Sequence, residues 1–175
     1  MAELQLKKLR KEFGGLIAVN DLDLSIEAGE IRGLIGPNGS GKTTLFNLIS
    51  GFLPPTSGGV VWQGTDITGS PTHRIVRKGI TRTFQLTKLL HDMTALQNVV
   101  VACYRHADLG PMEKLFGAKS AVGAEDRIEK KALELLKLVD IDNIKDELAG
   151  ALPHGYQRSL NIAIALATEP KLLLL

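Results

Sequence analysis

Nine consecutive residues, Gly36-Pro-Asn-Gly-Ser-Gly-Lys-Thr-Thr44, hold the side chains in this chain best suited to chemistry. Gly36, then four residues, then Gly41, Lys42 and Thr43 reproduce the full spacing of a phosphate-binding loop. A polyanion is held by several N–H groups that converge on it without side chains in the way, which is the use of Gly36, Gly39 and Gly41. A helix beginning near Lys42 adds the positive end of its dipole. Lys42 can reach the β- and γ-phosphates as a mobile point charge, and the Thr43 hydroxyl can ligate the Mg²⁺ that bridges them. Pro37, Asn38, Ser40 and Thr44 complete the stretch assigned to nucleotide binding.

The elements around this loop must place it. Ile31-Arg-Gly-Leu-Ile35 is predicted as the strand leading in, and Leu45, Phe46, Leu48 and Ile49 as the apolar face of a helix ending at Gly51. Leu4 to Leu9 and Asp21 to Ile26 alternate with period two, so the first thirty residues read as short strands. Val60 to Trp62 and Ile80 to Phe84 are further strand candidates, with Gln85 where the pattern changes. From about Leu86 to Gly150 the texture is helical. Ile128, Ala132, Leu135, Leu136 and Val139 form one apolar stripe, with Glu129, Lys130, Lys131 and Lys137 left for water. A last helix, about Gln157 to Ala167, leads through Glu169 and Pro170 into the apolar run Leu172 to Leu175. The connection from Asp108 to Ala124 has no legible conformation.

Composition bounds the reading. With 175 residues and 44% hydrophobic composition, the chain can bury a core as one domain, with room for a subdomain. Its 21 basic and 19 acidic side chains nearly cancel, which gives no general reason to expect a nucleic-acid partner. Cys103, the single cysteine, excludes an internal disulfide, suits a reducing compartment, and reads as a small core residue among Val99, Val100, Val101 and Ala102. No stretch approaches the roughly 20 apolar residues that span a bilayer. The start has no signal-peptide core, so membrane association is expected through another protein.

In this order, the elements resemble the ATP-binding subunits of ABC transporters, and most of all the branched-chain amino-acid importer branch. The resemblance runs from about Leu4 to Leu175. It rests on Phe13-Gly-Gly-Leu-Ile-Ala-Val19, the phosphate loop, Thr81-Arg-Thr-Phe-Gln85, Asn98-Val-Val-Val101, Leu152-Pro-His-Gly-Tyr-Gln-Arg158 and the run from Ala167 to Leu175. It implies an α/β fold: a P-loop NTPase core of RecA-like type with an N-terminal antiparallel β-subdomain and an inserted α-helical subdomain, C-terminally truncated. On that expectation residues 1–87 and 151–175 form the nucleotide-binding core and 88–150 the helical subdomain.

The resemblance also implies roles. Phe13 matches the aromatic that stacks on adenine, though a plain core phenylalanine is the competing reading. Gln85 matches the glutamine that touches Mg²⁺ and the attacking water; an ordinary polar residue at a strand end competes with it. Together with Lys42 it makes up the catalytic set. Leu152 to Gln157 matches the signature segment, which faces the γ-phosphate held by the opposite subunit. Here Pro153 stands where the family commonly has serine, removing a hydroxyl and an N–H, and His154 and Tyr156 replace a glycine and a glutamine. Gly155 keeps the close-approach role beside Gln157. His154 either donates to the phosphate or is a bystander.

The implied assembly is a head-to-tail pair of ATP-binding subunits. These dock on integral-membrane permeases at the cytoplasmic face of the plasma membrane, using ATP and Mg²⁺ and no nucleic acid. The family's aspartate and glutamate follow the last apolar strand, and neither is among these residues. Weak ATP binding, negligible hydrolysis and marginal stability are therefore the expectations. A non-transport ABC-type ATPase of DNA repair or translation, a GTP-binding switch and an inert nucleotide-binding fragment are the alternatives. The switch requires an Asn-Lys-x-Asp reader whose order Asn143-Ile-Lys-Asp146 lacks.

Overall fold

The computed structural model describes residues 3–83, 89–104 and 119–175, and of 119–124 the backbone only. The chain divides into two compact units, Met1–Ile80 and Thr81–Leu175.

In the first unit, β1 (Leu4–Phe13) and β2 (Leu16–Ile26) form an antiparallel hairpin. β1 also pairs antiparallel with β3 (Ser57–Trp62), and β3 with the short β4 (Thr65–Asp66), giving the order β2-β1-β3-β4. Leu4 stands opposite Ile26 on one side and Trp62 on the other, and Leu6 opposite Leu24 and Val60, so the alternating apolar residues line up. Leu4, Leu6, Leu9, Val60 and Trp62 are buried accordingly. The Trp62 indole donates to the Lys78 carbonyl at 3.0 Å, which ties this face to the end of α2 (Thr72–Arg77). Helix α1 (Lys42–Ile49) buries Leu45, Leu48 and Ile49, the face its periodicity predicts.

The expected strand at Ile31–Ile35 does not form. Among the described residues no strand pairs with this stretch, and Ile31 is 98% and Ile35 94% exposed. An apolar run becomes a buried strand only where neighbours supply ladder hydrogen bonds and cover both faces, and this unit supplies neither here.

The second unit is built on helices α3 (Ala95–Tyr104), α4 (Lys119–Leu138) and α5 (His154–Leu166). The predicted stripe holds: Ile128, Ala132 and Leu136 are buried, and Leu135 and Val139 pack partly buried against the same cluster. Val99, Ala102 and Cys103 from α3 and Leu160 and Ala163 from α5 close the core. Lys131, expected to face water alone, is ion-paired with Glu169. Two single 3-10 turns, Asp142–Ile144 and Ala149–Ala151, link α4 to α5. β5 (Ile80–Arg82) pairs with β6 (Leu172–Leu174), where Thr83 N–H donates to the Leu174 carbonyl at 2.9 Å. β6 is one residue shorter than predicted, and Leu175 is 68% exposed.

Candidate nucleotide-binding site

The phosphate loop is held at its far end by a close approach of two backbones. Gly41, at φ +88°, is the N-cap of α1, and a Cβ added there would lie 2.2 Å from the Ala18 carbonyl oxygen of β2. Only glycine accepts both the left-handed conformation and the missing space. The Gly41 carbonyl receives the Leu45 N–H at 2.8 Å, so the helix begins immediately. No side chain caps it, which leaves the first-turn N–H groups to an outside acceptor.

Within the loop, Ser40 N–H donates to the Pro37 carbonyl at 3.3 Å. The Lys42 ammonium folds back over this turn and donates to the carbonyls of Gly36 and Pro37, both at 2.7 Å. The lysine is thus already inside the curl, where a phosphate oxygen would compete with two carbonyls. Residues 36–40 are exposed, as is Thr43, and Thr44 is half-buried. A glycine-walled turn with a lysine aimed into it and open helix N–H groups behind it fits a nucleotide triphosphate.

Phe13 ends β1 and is 45% exposed, so the core-phenylalanine reading does not apply. The Lys11 ammonium lies 5.1 Å from the ring centroid and donates to the Pro54 carbonyl at 2.8 Å. A planar ligand on this ring takes the other face or displaces the ammonium. One residue earlier in the strand than Lys11, Arg10 bonds Glu12 and Asn20, and Glu12 is the larger cause holding its pKa above the ordinary value. Gln85 lies outside the described residues.

In the second unit the signature residues sit on a helix. α5 begins at His154, three residues earlier than predicted, with Pro153 as its N-cap. Proline at this end needs no N–H and presents the helix with its preferred φ. Pro153, His154, Gly155 and Tyr156 are exposed, Gln157 is half-buried, and a Cβ on Gly155 would meet nothing within 4 Å. The Gln157 amide donates to the Leu152 carbonyl at 2.8 Å, which fixes the start of the turn from inside. Like α1, this helix has no side-chain cap, so its orphan N–H groups face outward.

Cys103 is 4% exposed, and burial pushes its thiol pKa up. It packs in the helical core and offers no reactive thiolate. Among the described residues no group of acidic, histidine or cysteine side chains is arranged to hold a metal on its own, and no helix is long and apolar enough to cross a membrane. In the sequence Asn98 stands out only within Asn98-Val-Val-Val101, with no role assigned to it; the structure shows it as a buried amide in the first turn of α3.

These features define a phosphate-loop nucleotide-binding protein of mixed α/β architecture. Comparison narrows the class. The ABC transporter family profile matches residues 19–175. The high-affinity branched-chain amino acid transport ATP-binding protein BraF of Pseudomonas aeruginosa is 40% identical over 172 residues, covering 98% of this chain and 68% of that protein. Among solved structures, the ADP conformation of an ATP-binding cassette of an ABC transporter superposes with a TM-score of 0.78 at 30% identity, over 99% of this chain and 67% of that one. A dimeric post-hydrolysis state of an ATP-binding cassette bound to ADP and Pi gives 0.76 at 28% identity, over 97% and 72%. The chain belongs to the ABC transporter family, as part of its ATP-binding component. That membership removes the GTP-switch reading.

Proposed function

We propose that this chain is part of the ATP-binding subunit of an ABC importer for branched-chain or similar amino acids, a subunit that couples ATP binding and hydrolysis to transport, and that these residues by themselves bind nucleotide with negligible hydrolysis. The observation that carries the nucleotide part is the curled loop with Lys42 held inside it by Gly36 and Pro37. The solute class is supported by the branched-chain amino acid transport of its relative in Pseudomonas aeruginosa.

In this reading Gly36 to Thr44 cradle the phosphates and Lys42 neutralises the β- and γ-oxygens. Phe13 stacks on adenine, while Thr43 and Gln85 are the ligands offered to Mg²⁺. The metal supplies charge neutralisation between the β- and γ-phosphates when bound. Lys42 exchanges two neutral carbonyl acceptors for charged oxygens, the stronger kind of hydrogen bond. Pro153 to Gln157 face the nucleotide on a second ATP-binding subunit, offering the open N–H groups of α5 and the space beside Gly155. The helical part of the second unit docks on the permease subunits at the cytoplasmic face of the membrane, and no nucleic acid takes part.

Thermal shift of the 175-residue chain with Mg-ATP and with Mg-GTP tests the reading. At a hundred times the dissociation constant, Mg-ATP stabilises by about 2.7 kcal/mol. Lys42→Ala weakens binding about 10- to 150-fold, the worth of a hydrogen bond to a charged group. Absence of any shift in the parent chain, or equal shifts with Lys42→Ala, would sink the proposal.

A further inference from the structure

The stretch that delivers the signature segment is fastened to a turn nearly sixty residues earlier in the sequence. Asn98, 4% exposed, spends its whole side-chain amide on that turn. Leu90 N–H donates to its Oδ1 at 2.9 Å, and its Nδ2 donates to the carbonyls of Leu90 at 3.1 Å, Met93 at 3.3 Å and Thr94 at 2.9 Å. Thr94 and Gln97 cap the start of α3 reciprocally, at 2.9 and 3.1 Å. Residues 90–94 are therefore pinned to the first turn of α3 from both sides.

The same turn carries residues 145–150. Ala95 N–H donates to the Glu147 carbonyl and Leu96 N–H to that of Lys145, both at 2.9 Å. In return Ala149 N–H donates to Met93 at 2.9 Å and Gly150 N–H to His91 at 3.1 Å, with a bridge between Thr94 and Leu148. Gly150 is closely packed: a Cβ on it would lie 3.1 Å from His91 Cβ and 3.2 Å from both the His91 Nδ1 and the His91 carbonyl oxygen, so a larger residue forces this turn to give way by a few tenths of an ångström. Two residues later Leu152 is buried, its carbonyl held by the Gln157 side chain, and Pro153 is the N-cap of α5. That leaves almost no slack between the strap and the signature turn.

We propose that Asn98 and Gly150 are positioning residues for Pro153 to Gln157: Asn98 sets the pose of residues 90–94, and Gly150 lets residues 147–150 seat on them closely enough to aim the first turn of α5. A fully bonded buried amide is a stiff strut, because breaking any one bond leaves a polar group without water. The proposal deepens the reading of 153–157 as the surface that meets a partner subunit's nucleotide, and it rests on that reading for its purpose.

Amide hydrogen exchange on the full chain tests it. The deciding amides are Ala151, bonded to Leu148, and Gln157, bonded to Pro153 at 3.1 Å, since neither is hydrogen-bonded to Asn98 or His91. In Asn98→Leu both exchange about tenfold faster or more, a loss of roughly 1.4 kcal/mol of local protection. The amides of Leu45 to Ile49 keep parental rates, and Mg-ATP affinity is unchanged. Gly150→Ala gives the same pattern, and adding His91→Gly, which removes the two side-chain contacts and leaves the His91 carbonyl at 3.2 Å, restores part of the protection. This pair decides alone if Asn98→Leu fails to fold. Parental rates at Ala151 and Gln157 despite an opened 90–94 turn would overturn the proposal. So would a rise shared equally by residues 128–138, or a Gly150→Ala loss that His91→Gly does not relieve. A parent chain that binds no Mg-ATP removes the functional reading and leaves the exchange pattern standing, so the two failures are distinct.

Discussion

The phosphate loop and the proposed signature turn share one feature, a helix start with no side-chain cap, but they are supported in opposite ways. The signature turn hangs from a strap of backbone and side-chain bonds above a closed helical core. The phosphate loop is gripped at Gly41 and left untied upstream, where Ile31 and Ile35 stand almost wholly in water. The difference teaches that an anion-gripping shape can be local, while its placement depends on distant neighbours. A loop of glycines closed by its own lysine needs few long-range partners. A strand needs other strands.

The largest test of this contrast lies in the helical core. Leu136→Ala, at a side chain with no exposure, should cost about 2–5 kcal/mol, read as a lowered urea midpoint at unchanged slope. A cost below about 1 kcal/mol would mean that this core is not the firm region the contrast requires. Gly41→Ala comes next. Left-handed backbone alone costs about 1–2 kcal/mol, and the Ala18 carbonyl adds a collision, so Mg-ATP binding should fall together with stability. Smallest is Ile31→Ser with Ile35→Ser. With both side chains exposed, the double variant should stay within about 0.5 kcal/mol of the parent in the same denaturation. A loss of several kcal/mol would show that this segment is buried in solution and would erase the contrast.

Much of the fold was legible because it follows from short-range pattern. Alternation in Leu4 to Leu9 and Asp21 to Ile26 became the β1-β2 hairpin, longer than predicted because its turn at Gly14 and Gly15 lets pairing continue to Phe13 and Leu16. The stripe from Ile128 to Val139 became the buried side of α4. Pro153 was misread as lying before a later helix start, since proline suits a first turn as well as a loop. Asn98 was legible only as part of a motif, and its bonding was not: its four partners come from a turn that the folded chain brings to it.

The amino-acid order by itself determined the curl of the phosphate loop, because its glycines and Lys42 close it within nine residues, with Gly41 against Ala18 the long-range contact that holds its end. It likewise determined which helix faces are apolar. Tertiary structure alone decided that Phe13 is exposed, that residues 31–35 join no strand, and that Gly150 packs tightly on His91. Each of these depends on what lies within a few ångströms through space, and residues far apart in the chain supply it.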